Sequence, residues 1–163
     1  MPSPVQSSRT IAVDHLITES AKSFEEVKTA LERDVPQLDT TILARLRAGD
    51  VAGAKKLLEQ GPELAIFGVR DHGGLLAIAG KARKALQYDI GNPLTASKMT
   101  RHELFAALYA PLRVVLYEND KGSATFEYNK PPHLFGQTGN TDILAVAREL
   151  DSAIERALLK AAG

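Results

Sequence analysis

Two hydrophobic rhythms alternate along the chain and divide it into strands and helices. The run TIAVDHLI, residues 10–17, sets Ile11, Val13, His15 and Ile17 on one side and Ala12, Asp14 and Leu16 on the other. That two-residue period predicts a strand with His15 on its apolar, inward side. Ahead of it, MPSPVQSS (1–8) has no rhythm and reads as a frayed tail. Ser23-Phe24-Glu25-Glu26 then forms a capping box, and Phe24, Val27 and Leu31 follow at helical spacing. A helix to about residue 33, stopped by Pro36, is predicted.

Residues 40–60 are helical in two pieces. The first carries Ile42, Leu43 and Leu46 up to Gly49; Asp50 caps the second, with Val51, Ala54, Leu57 and Leu58 before Gly61-Pro62. The phrase AGDVAGAKKLLEQG resembles half an ankyrin repeat, but no repeat period follows it, and such units need stacked neighbours. Two apolar runs come next, LAIFGVR (64–70) and ALQYDI (85–90), with a short helical piece near 75–79 between them. Each run ends in a polar turn, Asp71-His72-Gly73-Gly74 or Gly91-Asn92-Pro93. Pro93 suits the first position of a helix capped by Asn92, and another helix is predicted over about 101–109.

Residues 112–118 and 123–128 predict a hairpin around Asn119-Asp120-Lys121-Gly122. Residues 141–161 form an amphipathic helix whose stripe of Ile143, Ala147, Leu150, Ile154, Ala157 and Ala161 suits covering a sheet. This order gives an α+β fold: a two-layer sandwich of an about five-stranded mixed sheet with helices packed against it. It is one domain, 9–163, with a helical insertion at about 37–61.

Four motifs in order carry a family resemblance. They are Ser23-Phe24-Glu25-Glu26, Ile66-Phe67 leading to Asp71-His72, Tyr88-Asp89-Ile90-Gly91-Asn92-Pro93, and Ala110-Pro111-Leu112-Arg113-Val114-Val115-Leu116-Tyr117-Glu118. Over about residues 9–161 the chain resembles the Domain of Unknown Function 302 family. The resemblance implies about five strands packed against helices, commonly as a dimer, and it implies no established activity. The segment 37–61 departs from the family pattern as an extra helical piece that would cover a groove or add a contact surface.

Composition narrows the partners. Twenty basic and twenty acidic residues, interleaved over 163, show none of the cationic excess that nucleic-acid binding favours. No apolar run approaches the roughly 20 residues of a membrane span, and the N-terminus lacks the apolar core of a signal peptide. The absence of cysteine removes thiolate chemistry and fits a reducing compartment. The expectation is a soluble, cytoplasmic protein without nucleic-acid or membrane partners.

Candidate chemistry gathers at the two polar turns. His72, with Asp71 beside it, could exchange protons or bind a metal; as plain structure it would cap the following helix. The helix start at Asn92, with Thr95 and Ser97 behind it, would suit a small anion, or be an ordinary cap. Arg113 opens a strand and would hold an anion or stay solvated. Tyr88, Tyr117, Phe126 and Tyr128 would line a pocket or simply pack. No motif indicates a cofactor, since GxxxxGK, GxGxxG, GxSxG and HExxH are all absent. A haem or metal site would need histidines such as His72 and His15 to converge.

Three functions follow, in order of preference. The first is a non-catalytic ligand-binding or interaction domain, homodimeric, with a small-molecule cleft near His72 and Asn92. The second is a small enzyme using His72 as general acid–base on an anionic substrate; the third is a haem- or metal-binding protein. All lean on His72 and the amides at Asn92 opening onto one cleft.

Overall fold

A single open sheet organises the computed structural model, which describes residues 1–163. Its strands are β1 (His15–Glu19), β2 (Ala65–Asp71), β3 (Ala85–Gly91), β4 (Leu112–Glu118) and β5 (Ala124–Asn129), in the order β1-β5-β4-β3-β2. The expected α+β two-layer architecture is present, but the sheet is not the mixed one expected: every strand pair in it is antiparallel. The one parallel element is an isolated bridge from Gln37 to Ile66. The connector after β2 holds only a helical turn, His72–Leu75, and a 3-10 turn, Leu76–Ala79, so it folds straight back as β3.

Seven helices pack against the sheet: α1 (Phe24–Asp34), α2 (Thr41–Arg47), α3 (Val51–Gln60), α4 (His72–Leu75), α5 (Pro93–Thr100), α6 (Pro131–Phe135) and α7 (Thr141–Ala162). The capping box opens α1 as expected: Ser23 Oγ accepts from the Glu26 N–H, and Glu26 accepts from the Ser23 N–H at 2.9 Å. The α7 stripe is buried at Ile143, Ala147, Leu150, Ile154 and Ala161, and it meets Val27 and Leu31 of α1 over Leu116 and Phe126 of the sheet. No helix is long and apolar enough to cross a membrane.

Two predicted elements differ. Residues 101–109 hold only a 3-10 turn, Leu104–Leu108, while the stretch 131–135, read as a connector, is α6 with Pro131 and Pro132 in its first turn. The first strand begins at His15 rather than at residue 10. Ile11 and Val13 pack on the core from an extended arm, and the inward positions then slip by one to Leu16, Thr18 and Ser20. The slip sits where pairing ends at Asp14: its carbonyl still accepts from the Lys130 N–H at 2.9 Å, but its N–H donates to His133 Nδ1 at 3.0 Å. His15 and Ile17 therefore face outward, and Ile17 is 60% exposed.

The helices occupy one face of the sheet. Alternation sends the other residue of each strand pair to the opposite face, which carries His15, Glu127, Asn129, Arg113, Asp89 and Arg70. Ile154 is fully buried where α7 covers the core. Replacing it with Ala should cost about 2–5 kcal/mol, read as a lower urea midpoint at unchanged slope.

Candidate functional site

Antiparallel pairing decides which of the candidate residues meet. Ala65 pairs with Gly91 and Asp71 with Leu86, so β2 and β3 finish at opposite ends of the sheet. His72 and Asn92 are consequently about 20 Å apart along β3, at roughly 3.3 Å per residue, and the shared cleft expected from the sequence does not form. His72 is exposed, with Nε2 3.3 Å from Gln87 Oε1, and it lines neither the cleft at Arg113 nor the recess at Thr95. Asp71 does not orient it, because its carboxylate caps α4 by accepting from the Gly74 N–H at 2.7 Å.

His15 lies on the opposite edge strand, about four strand spacings or 19 Å from β2. The two histidines thus cannot share a metal, and no three His, Asp or Glu side chains converge as a donor set. The inward, core position expected for His15 is likewise replaced by an outward one.

Asn92 is a clamp. Its Oδ1 accepts from the N–H groups of Leu94 at 2.8 Å and Thr95 at 3.5 Å, and its Nδ2 donates to the carbonyls of Pro62 at 3.3 Å and Glu63 at 3.1 Å. One side chain starts α5 and ties it to the entry of β2, which leaves none of its polar groups for a ligand. Thr95 lines a small recess of about 50 Å³ with Phe67, Met99, Pro111 and Phe135.

The end of the sheet that holds Asn92 and Thr95 also holds Arg113. Its cross-strand partner is Asp89, nearly buried and already paired with Arg70 at 2.6 Å. Arg113 itself forms neither hydrogen bond nor ion pair, and it borders a cleft of about 170 Å³ with Asn129, Tyr109, Leu108, Pro111 and Leu134. Pro111 and Leu112 also line the Thr95 recess, so the two hollows adjoin. Tyr109 is held edge-on by Phe105 at 6.5 Å and Phe135 at 6.0 Å between ring centres. Gln137 links Tyr109 Oη, at 3.3 Å from Nε2, to Arg9, whose Nη2 donates to Oε1 at 2.7 Å. An unpaired guanidinium bordering a cleft with a fixed aromatic wall can take a carboxylate or phosphate oxygen pair.

A second network flanks it. Glu127 accepts from the Tyr117 hydroxyl at 2.5 Å and lies 2.5 Å from His15 Nε2, while His15 Nδ1 is 3.0 Å from Asn129 Oδ1. The Tyr117 hydroxyl and then His15 hold the Glu127 carboxyl below the usual carboxylate range. Glu127 and then Asn129 raise the His15 imidazole above its ordinary value, and Glu127 raises the Tyr117 phenol. With Oδ1 turned to His15, Asn129 Nδ2 has no protein acceptor and lies beside Arg113. The residues 125, 127, 129, 113 and 117 alternate as polar positions in the hairpin, which is the signal along the chain for this face.

The comparisons with known proteins fit this architecture. The model of the family described as Domain of unknown function DUF302 matches residues 51–161. The crystal structure of an uncharacterized conserved protein DUF302 from Bacillus stearothermophilus is similar, with a TM-score of 0.65 at 14% identity. The superposition covers 90% of this chain and 97% of that one, and at this identity it speaks to the fold alone. No curated protein matches the chain.

Two outcomes test these assignments. Asn92→Ala should lower stability by about 1–2 kcal/mol in urea denaturation, as loss of a cap does. His15, raised by Glu127, contributes stability that is full below about pH 6.5 and fades as pH rises through its folded pKa. NMR titration should find the His15 ring above the usual histidine range, and Glu127→Gln should bring it down. An unshifted His15 in the wild-type protein would show that the pair does not form in solution.

Proposed function

Because this chain belongs to the DUF302 family, whose description carries no activity, we propose a function from its site: a non-catalytic module that binds a small anionic ligand at Arg113 and works as a homodimer. The observation that supports this reading is the unpaired Arg113 guanidinium beside a cleft, in a sheet where the neighbouring carboxylate, Asp89, is already neutralised by Arg70. An incoming carboxylate or phosphate would take the guanidinium fork and the Asn129 amide, with its apolar part against Tyr109 and Leu108.

Binding is favoured over catalysis by the surroundings of the imidazoles. His15 is spent between Glu127 and Asn129, His133, next to the cleft residue Leu134, accepts from the Asp14 N–H through Nδ1, and His72 is at the far end of β3. The homodimer is supported by the family resemblance and by Leu104 and Leu108, which are 82% and 72% exposed on the 3-10 turn next to the cleft. A second copy laid there would deepen it. The lack of cysteine fits residence in a reducing cytoplasm.

Calorimetric titration with acetate, succinate, citrate and inorganic phosphate tests the site. At least one should bind, and Arg113→Gln should weaken it about 10- to 100-fold, the loss of a charged hydrogen-bonded pair, without moving the melting temperature. His72→Ala should leave binding unchanged. Equal affinity in wild type and Arg113→Gln would refute the site, and light scattering at a single chain mass would refute the dimer.

A further inference from the structure

The connector between β2 and β3 projects from the end of the sheet, touching the β4–β5 hairpin only at its base, through Arg83 and Lys84. Every residue from Gly74 to Lys84 is exposed, whereas Gly73 at its root is buried. The two stems are pinched together there. The Arg83 N–H donates to the Gly73 carbonyl at 3.0 Å, and a Cβ on Gly73 would lie 2.0 Å from the Arg83 carbonyl oxygen. Only glycine allows that approach. The Lys81 N–H donates to the Leu76 carbonyl at 3.3 Å, closing α4 and the 3-10 turn into a defined tip.

That tip is apolar and its collar is cationic. Leu75 is 60% exposed and Ile78 90%, with Leu76 beside them. Lys81, Arg83 and Lys84 follow at once, and no Asp or Glu occurs between Asp71 and Asp89. Asp71 caps the root at Gly74, and two carboxylates of the β4–β5 hairpin reach the collar. Asp120 lies 3.8 Å from Arg83 and Glu118 3.4 Å from Lys84, while Lys81 has no carboxylate partner.

We propose that this connector is a peripheral docking device for an anionic lipid surface. Leu75, Leu76 and Ile78 enter the boundary between headgroups and acyl chains, and Lys81, Arg83 and Lys84 meet the lipid phosphates. The protein lies on such a surface without crossing it. A second copy fits the tip less well. Three aliphatic side chains cover far less than the roughly 800 Å² per partner of a stable interface, and a two-fold axis would set the cations against their own copies. An anionic surface has the matching charge.

The test is flotation of the whole protein with phosphatidylcholine vesicles, with and without phosphatidylserine, at low and high salt. Binding is expected only with phosphatidylserine, and it should weaken as salt rises. Removing cations by Lys81→Gln with Arg83→Gln should cost about fivefold per cation, and Ile78→Asp about tenfold or more. These exposed positions should leave the circular dichroism spectrum unchanged. No flotation with phosphatidylserine, or flotation insensitive to both variants, overturns the proposal. So does a wild-type dimer that Ile78→Asp dissociates, since the tip would then be covered by a second copy.

Discussion

Burial of one face of the sheet under α1 and α7 is the constraint from which the other features follow. Phe126, Leu116 and Tyr88 need an apolar cover, and the long stripe of α7 with Val27 and Leu31 of α1 supplies it. Because successive side chains in a strand point to opposite faces, that burial commits the alternate residues to water. Arg113, Asp89, Glu127 and His15 are aligned on the open face by the same register that aligns Leu112, Tyr88, Phe126 and Leu16 within.

On the open face, pairing is nearly complete. Arg70 neutralises Asp89, while Glu127 is shared by Tyr117 and His15. These bonds pull the Glu127 carboxyl down and the His15 imidazole up, which favours the charged form of both. Arg113 is the residue this accounting leaves over, and the turn through Pro111 gives it a cleft and an aromatic wall. At the far end of the sheet the β2–β3 connector carries apolar and cationic side chains away from the core. The two ends therefore differ in character, one a partly aromatic cleft, the other an exposed apolar tip with a cationic collar.

Much of the architecture was legible in local pattern. The capping box at Ser23, the α2–α3 pair around Gly49-Asp50, the hairpin at Asn119-Asp120-Lys121-Gly122 and the stripe of α7 depend on neighbours within a few residues. Where the reading departed, distant partners had intervened. Pairing of β1 with β5 begins only at Asp14, whose N–H goes to His133, and its register turns His15 and Ile17 outward. Of the proposed site, Arg113 was visible as a strand-opening cation. Its neighbours Asn129 and Tyr109, and the tie of His15 to Glu127, join residues far apart in the chain.

By itself the amino-acid order determined the α+β class, most of the elements, the capping of α5 by Asn92 and the family, because short-range periodicity and capping chemistry carry that information. Only the tertiary structure decided strand direction, and with it which polar turns are neighbours. His72 and Asn92 each follow an apolar strand and look alike along the chain, yet antiparallel pairing of those strands sends them to opposite ends of the sheet. Direction is set by how the connector folds back and by which faces the helices bury, and both are long-range packing choices.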